Sequence, residues 1–244
     1  MKSGAEKIVP YSKEERKSTQ IQRMFDKIAL TYDRLNHILS FGIDKWWRRK
    51  CVNYLAKQAP AKILDIASGT GDLALTMAKR LKPEQVIGAD ISEGMMDVGR
   101  AKATKAGLSV VSFEYQDCLA LTYPDNRFDA VTAAFGVRNF ENLEQGLSEM
   151  YRVVRAGGHV AILEFSTPKH FPMKQLYRFY SRVIIPFVGG LFSIDKQAYD
   201  YLPASIEVVA QGEAMVELLK KQGFKTAEVR PMTFGICSLY IAVK

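Results

Sequence analysis

Apolar residues recur at helical spacing twice before residue 60, then alternate between short runs and helical stripes to the end of the chain. The first stripe, near residues 18–30, puts Ile21, Met24, Phe25 and Ile28 on one face. The second, near 44–58, carries Trp46, Trp47, Cys51, Tyr54 and Leu55. From residue 61 the pattern predicts strands at 61–66, 85–90, 110–115, 128–134 and 158–164, with helices at 71–81, 93–106 and 141–154. This alternation predicts a mostly parallel, doubly wound α/β sheet with helices on both faces. Residues 169–206 interrupt it. A helix near 210–222 and strands near 224–230 and 233–243, joined by a short turn around Pro231, predict a closing antiparallel hairpin. Residues 1–14 read as a mobile charged tail, and residues 1–57 as a helical segment over the active site of a domain spanning 58–244.

The chemistry concentrates at the ends of the early strands. Ile63-Leu64-Asp65-Ile66-Ala67-Ser68-Gly69-Thr70-Gly71 is an apolar run ending in a glycine turn. Gly88-Ala89-Asp90 ends the next run in an acid about 20 residues on, where nucleotide-binding βαβ units bond ribose hydroxyls. Gly69 and Gly71 permit the tight turn and close backbone approach. Their spacing also fits a dinucleotide fingerprint, which leaves a nicotinamide-dependent oxidoreductase open. Asp65 tips the balance. A carboxylate there sits badly beside a pyrophosphate and well beside the cationic ammonium and sulfonium of S-adenosylmethionine. Asp117 and the backbone of Cys118, after the third strand, are placed to meet an adenine. Met95 or Met96 is placed to lie against its face. Arg138 and Asn139 follow the fourth strand and are the candidate catalytic pair: one to polarise a hydroxyl or hold a water, the other to orient it. A salt-bridged Arg and a helix-capping Asn are the bland alternative.

Composition adds limits. The chain has 244 residues, 48% hydrophobic and 25% charged, enough for one large domain core. Three separated cysteines and three scattered histidines show neither a disulfide framework nor metal-ligand spacing, so no metal is expected. No apolar signal core opens the chain, and the reading is cytoplasmic. A net charge of +8 suits an anionic partner. No basic motif interleaved with aromatics favours nucleic acid.

Phe25-Asp26-x-Ile28-Ala29-x-x-Tyr32-Asp33-x-Leu35-Asn36-x-x-Leu39-Ser40-x-Gly42, followed by Trp47-Arg48, resembles the quinone C-methyltransferase family. So do Arg152-Val153-Val154-Arg155-Ala156-Gly157-Gly158 with Glu164-Phe165-Ser166, Phe135 to Asn139, and Tyr199-x-Tyr201-Leu202-Pro203-x-Ser205-Ile206. The resemblance runs over about residues 15–244. It implies a Rossmann-like class I fold, S-adenosylmethionine as cofactor, and C-methylation of a polyprenylated quinol. The leading acceptor is demethylmenaquinol; the benzoquinol precursor of ubiquinone and other small lipophilic acceptors are alternatives. By position, Thr70, Asp90, Asp117 and Cys118 match the family's cofactor contacts. The family commonly has His where this chain has Asp44, which argues against an essential histidine at that position, and Lys-Pro where it has Arg155-Ala156. Some members have Ser at Ala134. A prenyl tail needs an apolar exit, and residues 171–192 are apolar with interleaved Lys174, Arg178 and Arg182. Such a segment suits transient contact with an anionic membrane surface, or else covers the sheet or joins two copies as a homodimer.

Overall fold

The computed structural model describes residues 4–186 and 195–244, the side chains of Ala5, Lys196 and Tyr199 excepted. Seven strands form one sheet: β1 (Lys62–Ile66), β2 (Gln85–Asp90), β3 (Val111–Tyr115), β4 (Phe128–Ala134), β5 (Val154–Phe165), β6 (Thr226–Met232) and β7 (Cys237–Val243). Their order is β3-β2-β1-β4-β5-β7-β6, with β7 antiparallel to both neighbours and the other pairs parallel. The sheet is buried on both faces, so β1, β2 and β4 read as nearly continuous apolar runs. One face carries Leu64, Val131, Ile162 and Tyr240; the other carries Ile63, Ala130, Ala161 and Ile241. Strand order reverses between β1 and β4, which opens the crevice where ligands of such sheets bind.

Helices α1 (Lys17–Leu39), α2 (Ile43–Ala56), α3 (Asp72–Leu81), α4 (Glu93–Lys105) and α5 (Leu143–Val153) precede the insertion. The insertion holds α6 (Met173–Phe179), a π-turn over Tyr180–Ile184 and α7 (Lys196–Val208); α8 (Glu213–Lys221) follows. Ser92 and Asn142 cap α4 and α5 by accepting from the third residue on, as short polar side chains at that position do.

The structure corrects several expectations. The tail is not loose over its described part: residues 4–7 form a 3-10 turn, Glu6 accepts from the backbone of Leu143, and the Gln20 side chain clasps Tyr11 and Ser12. Its polar composition conceals partners more than a hundred residues away. Helix α1 runs nine residues beyond the predicted end, because Leu35 and Tyr32 extend the buried stripe. Pro231 lies inside β6, an edge strand that tolerates it, and the turn falls at residues 233–235, where Phe234 adopts a left-handed conformation. Strand β5 starts at Val154, four residues early. Residues 187–192 of the expected membrane segment lie outside the described residues.

Candidate active site

Four loops at the carboxyl ends of β1, β2, β3 and β4 converge on a cleft of about 930 Å³. Its lining includes Asp65, Gly69, Thr70, Asp90, Asp117, Cys118 and Asn139. Gly71 does not line it. Its role is in the turn: φ is +76°, and a Cβ would fall 2.4 Å from Phe113, so only glycine fits behind the loop. Met95 lines the cleft, whereas Met96 packs with Leu75, Ala103 and Phe113.

Asp65 is 1% exposed; its Oδ1 accepts from Thr132 at 2.6 Å, and its Oδ2 has no hydrogen-bond partner. Burial pushes the carboxyl up to about 7, against the pull of Thr132 and Arg48. An unsatisfied buried carboxylate in a cleft is a receptor for a cation. Asp90 accepts from Gly69 N (2.7 Å) and Ser92 N (2.9 Å), so the second strand's acid also holds the first strand's turn. Asp117 accepts from Leu119 N at 2.9 Å, which orients the Gln116-Asp117-Cys118 turn. Thr70 donates its hydroxyl to Asp33 on α1, and Lys102 on α4 bonds Asp33 and Asp72. That network ties α1 to the glycine turn. Burial raises all three thiols, Cys51 to about 12 and Cys118 and Cys237 well above their usual value, so none is a thiolate at neutral pH.

A second cavity, about 1410 Å³ and mainly apolar, adjoins the first. Its walls come from α1, α2, the loop after β4, the insertion and residues 233–236. Phe25, Tyr32, Arg48 and Phe135 line both cavities. Phe135 holds a left-handed backbone (φ +60°), uncommon for a bulky residue, and its ring meets Trp47 and Phe165 at centroid distances of 6.0 and 4.5 Å. Gly136 follows because Ala67 stands where its Cβ would be, 2.5 Å from the Ala67 methyl.

Arg138 lines the second cavity and Asn139 the first. Arg138 is 5% exposed and pairs with Glu164 at 2.9 Å, while its Nη1 also donates to the Phe135 carbonyl. Burial works against its charge, but Glu164 outweighs it and the guanidinium is held above its ordinary value. Asn139 Oδ1 accepts from Tyr201 at 3.1 Å, linking cofactor loop and insertion. Arg138 is thus salt-bridged, and its Nε is buried without a hydrogen-bond partner; Asn142, not Asn139, caps the following helix.

Phe25, Tyr32, Arg48, Phe135 and Asp72 were missing from the candidate residues. Arg48 stands in the Trp47-Arg48 signature and Asp72 directly after the glycine turn, but neither pattern assigns the residue a role. The structure also brings His37, Asp44 and Asp72 together, with His37 Nδ1 2.8 Å from Asp44 Oδ2. The Asp44 and Asp72 carboxylates face Arg48 and Lys102. A histidine therefore does stand at position 44's side, supplied from α1.

The chain matches the ubiE/COQ5 methyltransferase family over residues 13–244.

The chain belongs to that family.

Its activity is methyl transfer, with S-adenosylmethionine as donor. A demethylmenaquinone methyltransferase of Bacteroides fragilis is 55% identical over 240 residues, 98% of either chain. One from Porphyromonas gingivalis is 44% identical over 241 residues, again 98% of either chain. A ubiquinone/menaquinone biosynthesis C-methyltransferase of Geobacter sulfurreducens is 42% identical, covering 98% of this chain and 93% of its own. Among solved structures, a methyltransferase of Thermotoga maritima described as S-adenosylmethionine-dependent overlays with a TM-score of 0.64 at 17% identity, covering 92% of this chain and 99% of its own. That likeness concerns the fold, a class I methyltransferase sheet closed by an antiparallel hairpin. The cleft holds a buried carboxylate oxygen without a partner on Asp65 and an acid, Asp90, at the end of β2.

Proposed function

We propose that this methyltransferase C-methylates a polyprenylated quinol, converting demethylmenaquinol to menaquinol. The observation that carries the reading is the large apolar cavity that meets the cofactor cleft at Phe25, Tyr32, Arg48 and Phe135. A small polar acceptor has no use for such walls, whereas a fused aromatic ring with a prenyl tail fills them. The relatives at 55% and 44% identity are named for the naphthoquinone. The Geobacter relative's name supports the benzoquinol precursor of ubiquinone as the second reading.

Asp65 would face the ammonium and sulfonium end of the donor, Asp90 the ribose, and Asp117 with the Cys118 backbone the adenine. Thr70 and Gly69 shape the turn. When bound, S-adenosylmethionine supplies an electrophilic methyl group on a cationic sulfur. The chain's task is alignment, exclusion of water and management of one proton, since the acceptor carbon gains a methyl and loses a hydrogen. Arg138 does not deprotonate at working pH, so it serves as a fixed cation for the quinol oxygen or for a water, with Asn139 orienting that partner. The described parts of the 1–57 segment and of the 169–206 insertion would cover the site.

The mouth of the acceptor cavity supports delivery from a membrane surface. Phe41 and Leu176 line the cavity and are exposed, and Phe171, Phe179, Val183 and Phe234 are exposed on segments that carry its walls, with Lys45, Lys174 and Arg178 also exposed on those segments. Among the described residues no helix is long and apolar enough to cross a membrane. Peripheral contact at the inner face of the cell membrane is the proposed mode.

Anaerobic incubation with labelled methyl donor and each reduced quinone, followed by mass spectrometry, tests the function. Label on the naphthoquinol supports the proposal; label only on the benzoquinol selects the second reading; label on neither removes both. Sedimentation with anionic and neutral vesicles tests the surface. Salt-sensitive binding to anionic vesicles alone is expected, and equal partition onto both, or self-association without vesicle binding, counts against it.

A further inference from the structure

One cation at the junction of the two cavities has no part in the chemistry above. Arg48 is 8% exposed, lines both the cofactor cleft and the apolar cavity, and stands over the Phe135 ring at 5.4 Å. Its Nη1 donates to Asp44, and its Nη2 lies 3.7 Å from Asp72. Its Nε is buried without a hydrogen-bond partner. Buried donors left unpaired are costly, and a native protein keeps one mainly where a ligand or water completes it.

The head of Arg48 is fixed from behind. Asp44 accepts from Ser40 Oγ at 2.7 Å and stands 2.8 Å from His37 Nδ1, in addition to its bond from Arg48. Burial raises the Asp44 carboxyl, but Ser40, Arg48 and His37 together hold it below its ordinary value. An anion secured in this way leaves the guanidinium one orientation. The charged or titratable groups around Arg48 are Asp44 on its own helix, His37 and Tyr32 from α1, Asp65 from β1, Asp72 from α3 and Cys237 from β7. None of them satisfies Nε.

We propose that Arg48 binds the acceptor-ring oxygen next to the carbon that is methylated and stabilises it as the oxyanion. This rests on the quinol reading. A quinol hydroxyl that gives its proton to solvent water pushes electron density onto the neighbouring ring carbon. That carbon forms the new C–C bond as the methyl–sulfur bond breaks, and the pair of the broken bond returns to sulfur. The ring carbon then sheds its proton to water and aromaticity is restored. The oxyanion is where negative charge concentrates before transfer. A donor-only cation between Asp65 and the apolar cavity meets that charge without competing for the proton. Arginine suits it better than lysine because Asp44 and Asp72 hold the planar head in one orientation at the junction of the two cavities.

The test measures kcat, KM and cofactor affinity from pH 6 to 10 for the parent, Arg48→Lys and Arg48→Gln. Arg48→Gln is expected to lower kcat about 30-fold or more at pH 7, in line with loss of a charge-assisted bond. Its rising pH limb should move up by about one unit or more, and the deficit should shrink at high pH where the quinol ionises unaided. Arg48→Lys should restore most of that shift while keeping a lower kcat. Cofactor affinity, read by calorimetry without quinol, should stay within about threefold of the parent and so report an intact fold. Three outcomes overturn the proposal: a kcat loss uniform across pH, a tenfold or greater loss of cofactor affinity with an unmoved pH limb, which assigns Arg48 to the donor, or parental kinetics. A parent that methylates no quinol instead overturns the functional reading on which the proposal stands.

Discussion

The cofactor cleft and the acceptor cavity share four side chains and are built on opposite logics. The cleft collects carboxylates and backbone amides from four successive strand ends, each placed by a few residues of local turn chemistry. The cavity collects aromatic and aliphatic walls from residues as far apart as Met24 and Ile236, with few polar groups among them. A polar ligand is recognised by specific donors and acceptors, which local loops supply. A lipophilic ligand is recognised by shape and exclusion of water, which requires whole elements to dock around it.

The sharpest way to break this contrast is at Asp65. Asp65→Asn should weaken S-adenosylmethionine binding by about 100-fold or more, because a buried carboxylate facing a cation is removed. The same substitution should stabilise the unliganded protein above pH 7. The folded carboxyl sits near 7 against an ordinary 3.8, so between those values the folded state holds a proton the unfolded chain has lost. Stability from this group therefore falls as pH rises from about 4 to 7, by an amount on the order of a few kcal/mol, and Asn is insensitive to it. Thermal melts at pH 5 and pH 8 check the sign. The bound cation should also expel the proton: calorimetry in buffers of different ionisation enthalpy should show proton release at pH 6 that vanishes by pH 8.5.

The next test works on the acceptor side. Glu164→Gln leaves Arg138 buried without its anion, a loss of about 3–5 kcal/mol by urea unfolding. Arg138→Lys keeps the charge, and should cut quinol turnover heavily with cofactor affinity nearly intact. Parental turnover in both Arg138→Lys and Asn139→Ala would make that pair structural.

Asp90→Ala should weaken cofactor binding roughly tenfold or more, as a charge-assisted contact of about 1.5–3 kcal/mol is lost. Unchanged affinity takes Asp90 out of the site. The smallest effect is expected at the seam between the two regions. Tyr201→Phe removes one bond to Asn139, worth about 0.5–1.5 kcal/mol, and should lower kcat/KM a few-fold with cofactor affinity unmoved.

Asp65, Gly69, Asp90 and Asp117 were legible because a strand that ends in an acid or a glycine turn breaks an apolar pattern at a position the βαβ geometry already defines. Arg138 and Asn139 were legible as candidates by the same rule, since they follow the fourth strand. Gly71 was legible as part of the tight turn; that Phe113 fills the space a Cβ would take, so that only glycine fits, came from the tertiary structure. Phe25, Tyr32 and Phe135 were not legible as lining, because an aromatic facing a cavity and one facing the core obey the same periodicity.

The sequence by itself determined the alternation of strands and helices, the closing hairpin and the acids of the donor cleft, because those depend on period, turn chemistry and neighbours within one βαβ unit. Only the tertiary structure decided that α1 continues to Leu39, that Gln20 and Glu6 fasten the tail, and that His37 reaches Asp44 while Arg48 stands between two cavities. Each of these rests on contacts between elements distant in the chain, and no local pattern specifies which buried face meets which.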